Sequence, residues 1–211
     1  MQLTKDIILD AALTILDEYG LGDLTIRRLT RHLGTAAGAM YWHYSSKQAL
    51  LGAVADRILA PYAEFTPTGQ WREDATAMSE LLYTCLTSHR DGAEVVSAAL
   101  ATNTATIRPE QLLGDVLSGA PGTDSSNTVD TASVLVYFIL GATVDQQTAS
   151  ALELVDKTAA KNKASRSTDT AEADAADSTE AETAAEKKKE LGRQRIALGT
   201  ELIIAGIAAR G

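Results

Sequence analysis

The chain has little that would staple it, carry it across a membrane or break its helices. Of 211 residues, one is cysteine, four are proline, two are tryptophan and two are phenylalanine. Cys85 alone cannot form an internal disulfide, and such sparing use of cysteine fits a reducing, cytoplasmic setting. No run of about 18 uncharged apolar residues is present to cross a bilayer. The first residues, "MQLTKDIILD", lack the basic-then-apolar order of a secretory signal. With few prolines and few alternating β-branched runs, the composition points to helices. Neither a Ser/His/Asp pattern nor a metal-ligand cluster nor a glycine-rich phosphate loop occurs, so no catalytic residue, metal or cofactor is assigned. His89, Arg90 and Asp91 do cluster, but they precede Gly92 at a helix end, where cations suit the macrodipole and Asp suits a turn.

Charge is plentiful but uneven. The formal net charge is −9, yet residues 24–55 hold Arg27, Arg28, Arg31 and Lys47 with no Asp or Glu. Residues 165–186 carry Arg166 against Asp169, Glu172, Asp174, Asp177, Glu180, Glu182 and Glu186. An acid-free basic window suits a polyanion, and the acidic stretch suits solvent. The basic window also gathers scarce aromatics: "GAMYWHYSSKQALL", residues 38–51, contains Tyr41, Trp42, Tyr44 and His43.

Apolar spacing divides the chain into helices. Residues 4–19 place Ile7, Ile8, Ala11, Ala12, Ile15, Leu16 and Tyr19 on one stripe, with Thr4 as N-cap and Gly20 past the end. In "LTIRRLTRHLG", Thr25 caps a short helix that Gly34 stops, with Ile26, Leu29 and Leu33 inward and the arginines outward. "AAGAMYWHY" follows a short turn as another helical segment, the layout of a helix-turn-helix. "SSKQ" reads as a capping box with Ser45 at N-cap and Gln48 at N3, opening a helix that ends at Pro61. Residues 61–69 read as a connection. Helices follow from Trp71, over about 93–101, from Pro109, and over about 128–154. Residues 156–186 lack large aliphatic and aromatic side chains and read as a flexible acidic loop. The closing "KKKELGRQRIALGTELIIAGIAAR" is more apolar than one domain can cover, so a helix from a second subunit is expected against it.

These residues carry a resemblance. "DAALTILDEYGLGDLTIRRLTRHLG", followed by "GAMYWHYSSKQALL", resembles the DNA-binding module of the tetracycline-repressor (TetR) family. "SHRDGAEV" at 88–95, "FILGATVDQQ" at 138–147 and "GTELIIAGI" at 199–207 resemble the C-terminal domain of the tetracycline repressors. The resemblance implies an all-α fold: a three-helix helix-turn-helix domain over residues 1–46, a connecting helix over 47–61, and an effector-binding and dimerisation domain over 62–211. It further implies a homodimer with a four-helix interface, double-stranded operator DNA as partner, and no membrane.

For DNA, phosphate contacts supply most affinity and base edges supply specificity. Thr25, Arg27, Arg28, Tyr41, Trp42, His43 and Lys47 are the expected contacts. Ala37 and Ala39, with Gly38, keep the recognition helix slim, fitting thymine methyls but making no bidentate base contact. Within the C-terminal domain, the resemblance implies a ligand pocket whose tetracycline and magnesium residues are not matched: Val96, Ala99, Leu100 and Ala101 stand at the drug-contact positions, and only Asp145 retains a carboxylate. Magnesium demands several oxygens. Met78, Leu82, Cys85, Val96, Leu100, Leu112, Val116 and Tyr137, with Asp145, are the expected lining, suited to an apolar or aromatic effector. The leading function is a ligand-responsive transcriptional repressor. A small-molecule carrier or enzyme using the apolar cavity, and a constitutive DNA-architectural protein, are the alternatives left open.

Overall fold

Thr4 opens the first helix as its composition predicts, its hydroxyl accepting from Ile7 N at 3.3 Å. The computed structural model describes residues 3–121, 127–164 and 174–209, without the side chains of residues 154–185. Among the described residues the regular structure is helical, with no strand: α1 Lys5–Tyr19, α2 Ile26–Leu33, α3 Ala37–His43, α4 Lys47–Ala63, α5 Trp71–Thr87, α6 Gly92–Ala101, α7 Pro109–Leu117, α8 Thr128–Ala164 and α9 Asp174–Ala208. A short 3-10 turn, Leu21–Asp23, joins α1 to α2.

The first three helices close around Ile8, Ala12, Ile15, Leu16, Leu29 and Met40, all buried. α4 joins this group to the rest. Near its middle, Arg57 reaches back to α1, bonding Asp6 at 2.6 Å and Asp10 at 3.2 Å. Earlier on α4, the helix passes so close to the turn after α6 that a Cβ at Gly52 would collide with the Thr104 carbonyl. Asp56 fastens the same region by accepting from Thr106 N at 2.8 Å, Thr106 Oγ1 at 2.7 Å and Ile107 N at 2.9 Å.

Two boundaries of α4 differ from the sequence expectation. The N-cap is Ser46, whose hydroxyl accepts from Ala49 N at 3.0 Å, and not Ser45. Both serines precede the same apolar pattern, so local sequence does not choose between them. The helix also runs through Pro61 to Ala63, so the connecting helix extends past residue 61. Proline so near a C-terminus removes one internal bond, and the last turn is held by Tyr62, which is buried and donates to Pro109 O at 3.4 Å.

α5 begins after a turn that Asp74 organises. Its carboxylate accepts from Thr68 N at 3.0 Å and Gly69 N at 2.9 Å, and from the Thr68 hydroxyl at 2.9 Å. The Thr68 backbone bond is the largest of the effects that hold this carboxyl below the usual carboxylate range, against the opposing effect of burial. α8 and α9 lie side by side. Gly199 rests against the Phe138 ring, and Gly192 leaves room for Tyr83, whose hydroxyl donates to Lys189 O at 2.9 Å.

α8 and α9 extend beyond the sequence expectation. Residues 156–164 and 174–186, expected as part of a flexible loop, are helical, while 165–173 lie outside the described residues. Absence of large apolar side chains rules out a core there but not a helix. Ala, Glu and Lys have high intrinsic propensity, and growth from a packed helix avoids the costly nucleus. By length and composition, Thr128–Glu153 could cross a membrane. Its inner face (Ala132, Leu135, Val136, Ile139 and Thr143) is instead buried in the protein core.

Candidate nucleic-acid interface and ligand cavity

The basic end is built from short helices with well-set caps. Thr25 accepts from Arg28 N at 3.1 Å and opens α2, and Gly34 closes it with φ 62, the left-handed conformation that glycine tolerates best. α3 then projects from Met40, 1% exposed, and Tyr44, 7% exposed, which anchor it to the core. The Lys5 ammonium lies 5.9 Å from the centre of the Tyr44 ring, steadying that anchor.

Anchoring one face of α3 leaves the other to solvent. Ala37 and Gly38 are exposed, Ala39 is half-buried, Tyr41 is 54% exposed and Trp42 is 91% exposed. An indole so uncovered contributes almost nothing to the fold of the isolated chain. His43 and Lys47 are half-buried at the helix end and the start of α4, while Thr25 and Arg27 are exposed on α2. The structure therefore brings the expected contact residues to one end of the molecule.

Arg28 is the exception. Its Nη1 pairs with Asp23 at 2.7 Å and its guanidinium lies 3.9 Å over the Tyr19 ring. One residue's rotation around α2 separates it from Arg27, turning it towards α1. Arg31, left unassigned by the sequence pattern, is exposed and four residues from Arg27, so the two share a helix face. That spacing was the available signal for it.

A candidate ligand cavity lies in the other half, between α6, the start of α7, and α8. Its volume is about 450 Å³ and its walls include Ser97, Leu100, Ala101, Arg108, Glu110, Tyr137, Leu140, Gly141, Val144 and Asp145. Three of the expected lining residues are there: Leu100, Tyr137 and Asp145. Leu112 is half-buried outside it. Met78, Leu82, Cys85, Val96 and Val116 are buried in the core and not on this wall. Helical spacing marks which residues face inward, but not which inward space the packing leaves unfilled. Burial also pushes the Cys85 thiol up from its ordinary pKa, partly offset by a backbone hydrogen bond from Tyr62, so this cysteine is a core side chain.

The cavity is more polar than the expected lining. Arg108 bonds Glu110 through Nε at 2.7 Å and Nη2 at 2.6 Å, and also donates to Leu100 O at 3.3 Å and Asn103 Oδ1 at 3.2 Å. Two charges flanking Pro109 in an otherwise apolar stretch were the missed signal. Asp145 adds an exposed carboxylate and Tyr137 a 69%-exposed ring. Among the described residues, no three His, Cys, Asp or Glu side chains gather as metal ligands.

A basic helix-turn-helix end joined by one helix to a cavity-bearing helical domain defines a class of DNA-binding regulators. The chain matches the family of bacterial regulatory proteins, tetR family, over residues 8–54, and the tetracyclin repressor-like C-terminal domain over residues 65–210. The protein belongs to the tetR family. The tetracycline repressor protein class D of Escherichia coli is 31% identical over 168 residues, covering 75% of this chain and 73% of that protein. The crystal structure of Mycobacterium smegmatis BioQ is similar with a TM-score of 0.75 and 32% identity, covering 99% of this chain and all of that one. BioQ with its natural double-stranded DNA operator gives a TM-score of 0.72 and 31% identity, covering 99% of each chain. Within the family the chain is not itself a tetracycline repressor.

Proposed function

We propose that this protein is a ligand-responsive transcriptional repressor that binds a palindromic operator as a homodimer. The observation that carries the reading is the α3 face, where small residues and Trp42 stand exposed beside Arg27 and Lys47. Two such faces, set about 34–36 Å apart by a twofold axis, match successive major grooves. Val134, Tyr137 and Leu152 on α8, and Leu191, Leu198 and Leu202 on α9, are exposed apolar side chains that a second copy would cover. Arg27, Arg31, Lys47, Thr25 and the Tyr41 hydroxyl would hold phosphates, while Trp42, His43, Ala37 and Ala39 would meet base edges. Arg28 would act by supporting α2.

The effector would occupy the cavity of about 450 Å³, its apolar body against Leu100, Leu140 and Val144 and its polar groups towards Ser97, Tyr137, Arg108 and Asp145. An apolar or aromatic body of the kind expected from the sequence would thus carry polar groups as well. The cavity touches the last turn of α6, and the next residues, Thr104, Thr106 and Ile107, are fastened to α4 at Gly52 and Asp56. α4 starts only a few residues after α3. A ligand that shifts the end of α6 would therefore swing α4 and the spacing of the recognition helices, with coupling of about 1–3 kcal/mol. No catalytic residue, metal or cofactor is part of the reading. The test is gel retardation with DNA flanking the protein's own gene, repeated with compounds that raise its melting temperature. Retardation that such a compound abolishes is expected. Absence of binding to that DNA at low salt would sink the proposal.

A further inference from the structure

One side chain of α8 reaches three backbone groups of the turn between α5 and α6. Gln147 Oε1 accepts from Ala93 N at 3.1 Å, and Gln147 Nε2 donates to Leu86 O and His89 O, both at 3.1 Å. The amide thus satisfies a free donor in the first turn of α6 and a carbonyl in the last turn of α5, groups that a helix cannot pair internally. The turn needs such support. Asp91 adopts φ 55, unusual for a residue with a Cβ, and a Cβ at Gly92 would stand 2.6 Å from Leu86 O.

The opposite side of this turn grips the DNA-binding end. Asp17 of α1 accepts from Arg90 N at 3.0 Å and lies 2.9 Å from His89 Nδ1. Asp91 Oδ2 accepts from Leu21 N at 2.8 Å, and Arg90 Nη1 donates to Glu18 O at 3.2 Å. Every one of these bonds originates within four residues of a group that Gln147 holds. On α8 itself, Gln147 follows Val144 and Asp145 of the ligand cavity within one helical turn.

We infer that Gln147 is a positioning residue, which relays the state of the ligand cavity from α8 through the 86–93 turn to α1. This route is separate from the α6-to-α4 route, and it rests on the repressor reading for its consequence at DNA. A rotation or translation of α8 that strains the Gln147 bonds loosens the turn, and with it the seats of Leu21 and Asp17.

Two substitutions test it. Gln147→Leu removes all three bonds. Gln147→Glu keeps the acceptor for Ala93 N but turns a carboxylate towards two carbonyls. Amide hydrogen exchange and operator binding are measured on both full-length variants, using fluorescence anisotropy with DNA flanking the protein's own gene. The expected result is exchange about tenfold faster or more at Leu21 and Arg90, on the far side of the turn. Affinity for the DNA should fall about fivefold or more, the lower range for coupled sites. Faster exchange at Ala93 alone, with Leu21, Arg90 and affinity as in the wild type, makes Gln147 a local staple and overturns the relay. Should the Leu variant not fold, the Glu variant decides. Faster exchange at Leu21 in a protein that binds no DNA upholds the relay and removes the repressor reading instead.

Discussion

At the scale of single residues, neighbouring arginines on α2 do different work. Arg27 is exposed, whereas Arg28 is committed to Asp23 and the Tyr19 ring. Arg27→Ala is expected to weaken DNA binding across sequences and lower the salt slope by about two per dimer, one for each copy, leaving the melting temperature near that of the wild type. Arg28→Ala should do the reverse, losing about 0.5–1 kcal/mol of stability with little change in salt slope, because a partly exposed pair and its stacking are modest. Binding titrations at several salt concentrations, together with thermal melts, separate the two. Equal salt slopes for both variants would contradict the assignment. The basic window was visible in the sequence, but the two roles were not. They depend on Tyr19 and Asp23 standing beside α2, which only the α1–α2 packing brings about.

At the scale of elements, α4 joins the two halves and carries one of the two proposed routes between them. Its contact with the turn after α6 requires glycine at position 52, since a Cβ there would meet the Thr104 backbone carbonyl. A backbone oxygen has no rotamer with which to escape, so one added methyl must push the elements apart. Gly52→Ala is expected to cost about 1–3 kcal/mol in urea denaturation, the usual range for overpacking, and to blunt the effect of ligand on operator affinity. Stability and ligand response equal to the wild type would show that the contact is not needed. Glycine inside a helix reads from sequence only as a small propensity cost. Its purpose is invisible until the partner carbonyl is in place. The end of the same helix makes a related point: Pro61 reads as a stop, but Tyr62, buried against α7, carries the helix on to Ala63.

At the scale of the whole molecule, α8 and α9 each present two apolar faces. Ile196, Thr200, Ile204 and Ile207 point into the core, while Leu191, Leu198 and Leu202 are about half or more exposed. A second copy is the proposed cover. Leu198→Asp combined with Leu202→Asp is expected to give a folded monomer in analytical ultracentrifugation and to weaken operator binding by more than tenfold, because one half-site contact alone remains. A variant that stays dimeric and keeps full affinity would refute this interface. The sequence had marked the closing helix as too apolar for one domain, so this surface was legible before any packing was known.

What the sequence determined by itself is local in origin. Apolar periodicity, the Thr4 and Thr25 caps and the Gly34 stop act within a few residues, and so the helices and the contiguous DNA-binding motif could be read directly. Family membership follows from the same contiguous stretches. The tertiary structure decided everything that joins distant segments. Which inward-facing side chains fill the core (Met78, Leu82, Val96) and which border a cavity (Leu100, Tyr137) depends on how tightly several helices close together. The bonds of Gln147 to Ala93 and Leu86 span 54 and 61 residues. No pattern along one helix encodes such a bond, because its partners are set by the packing of three helices at once.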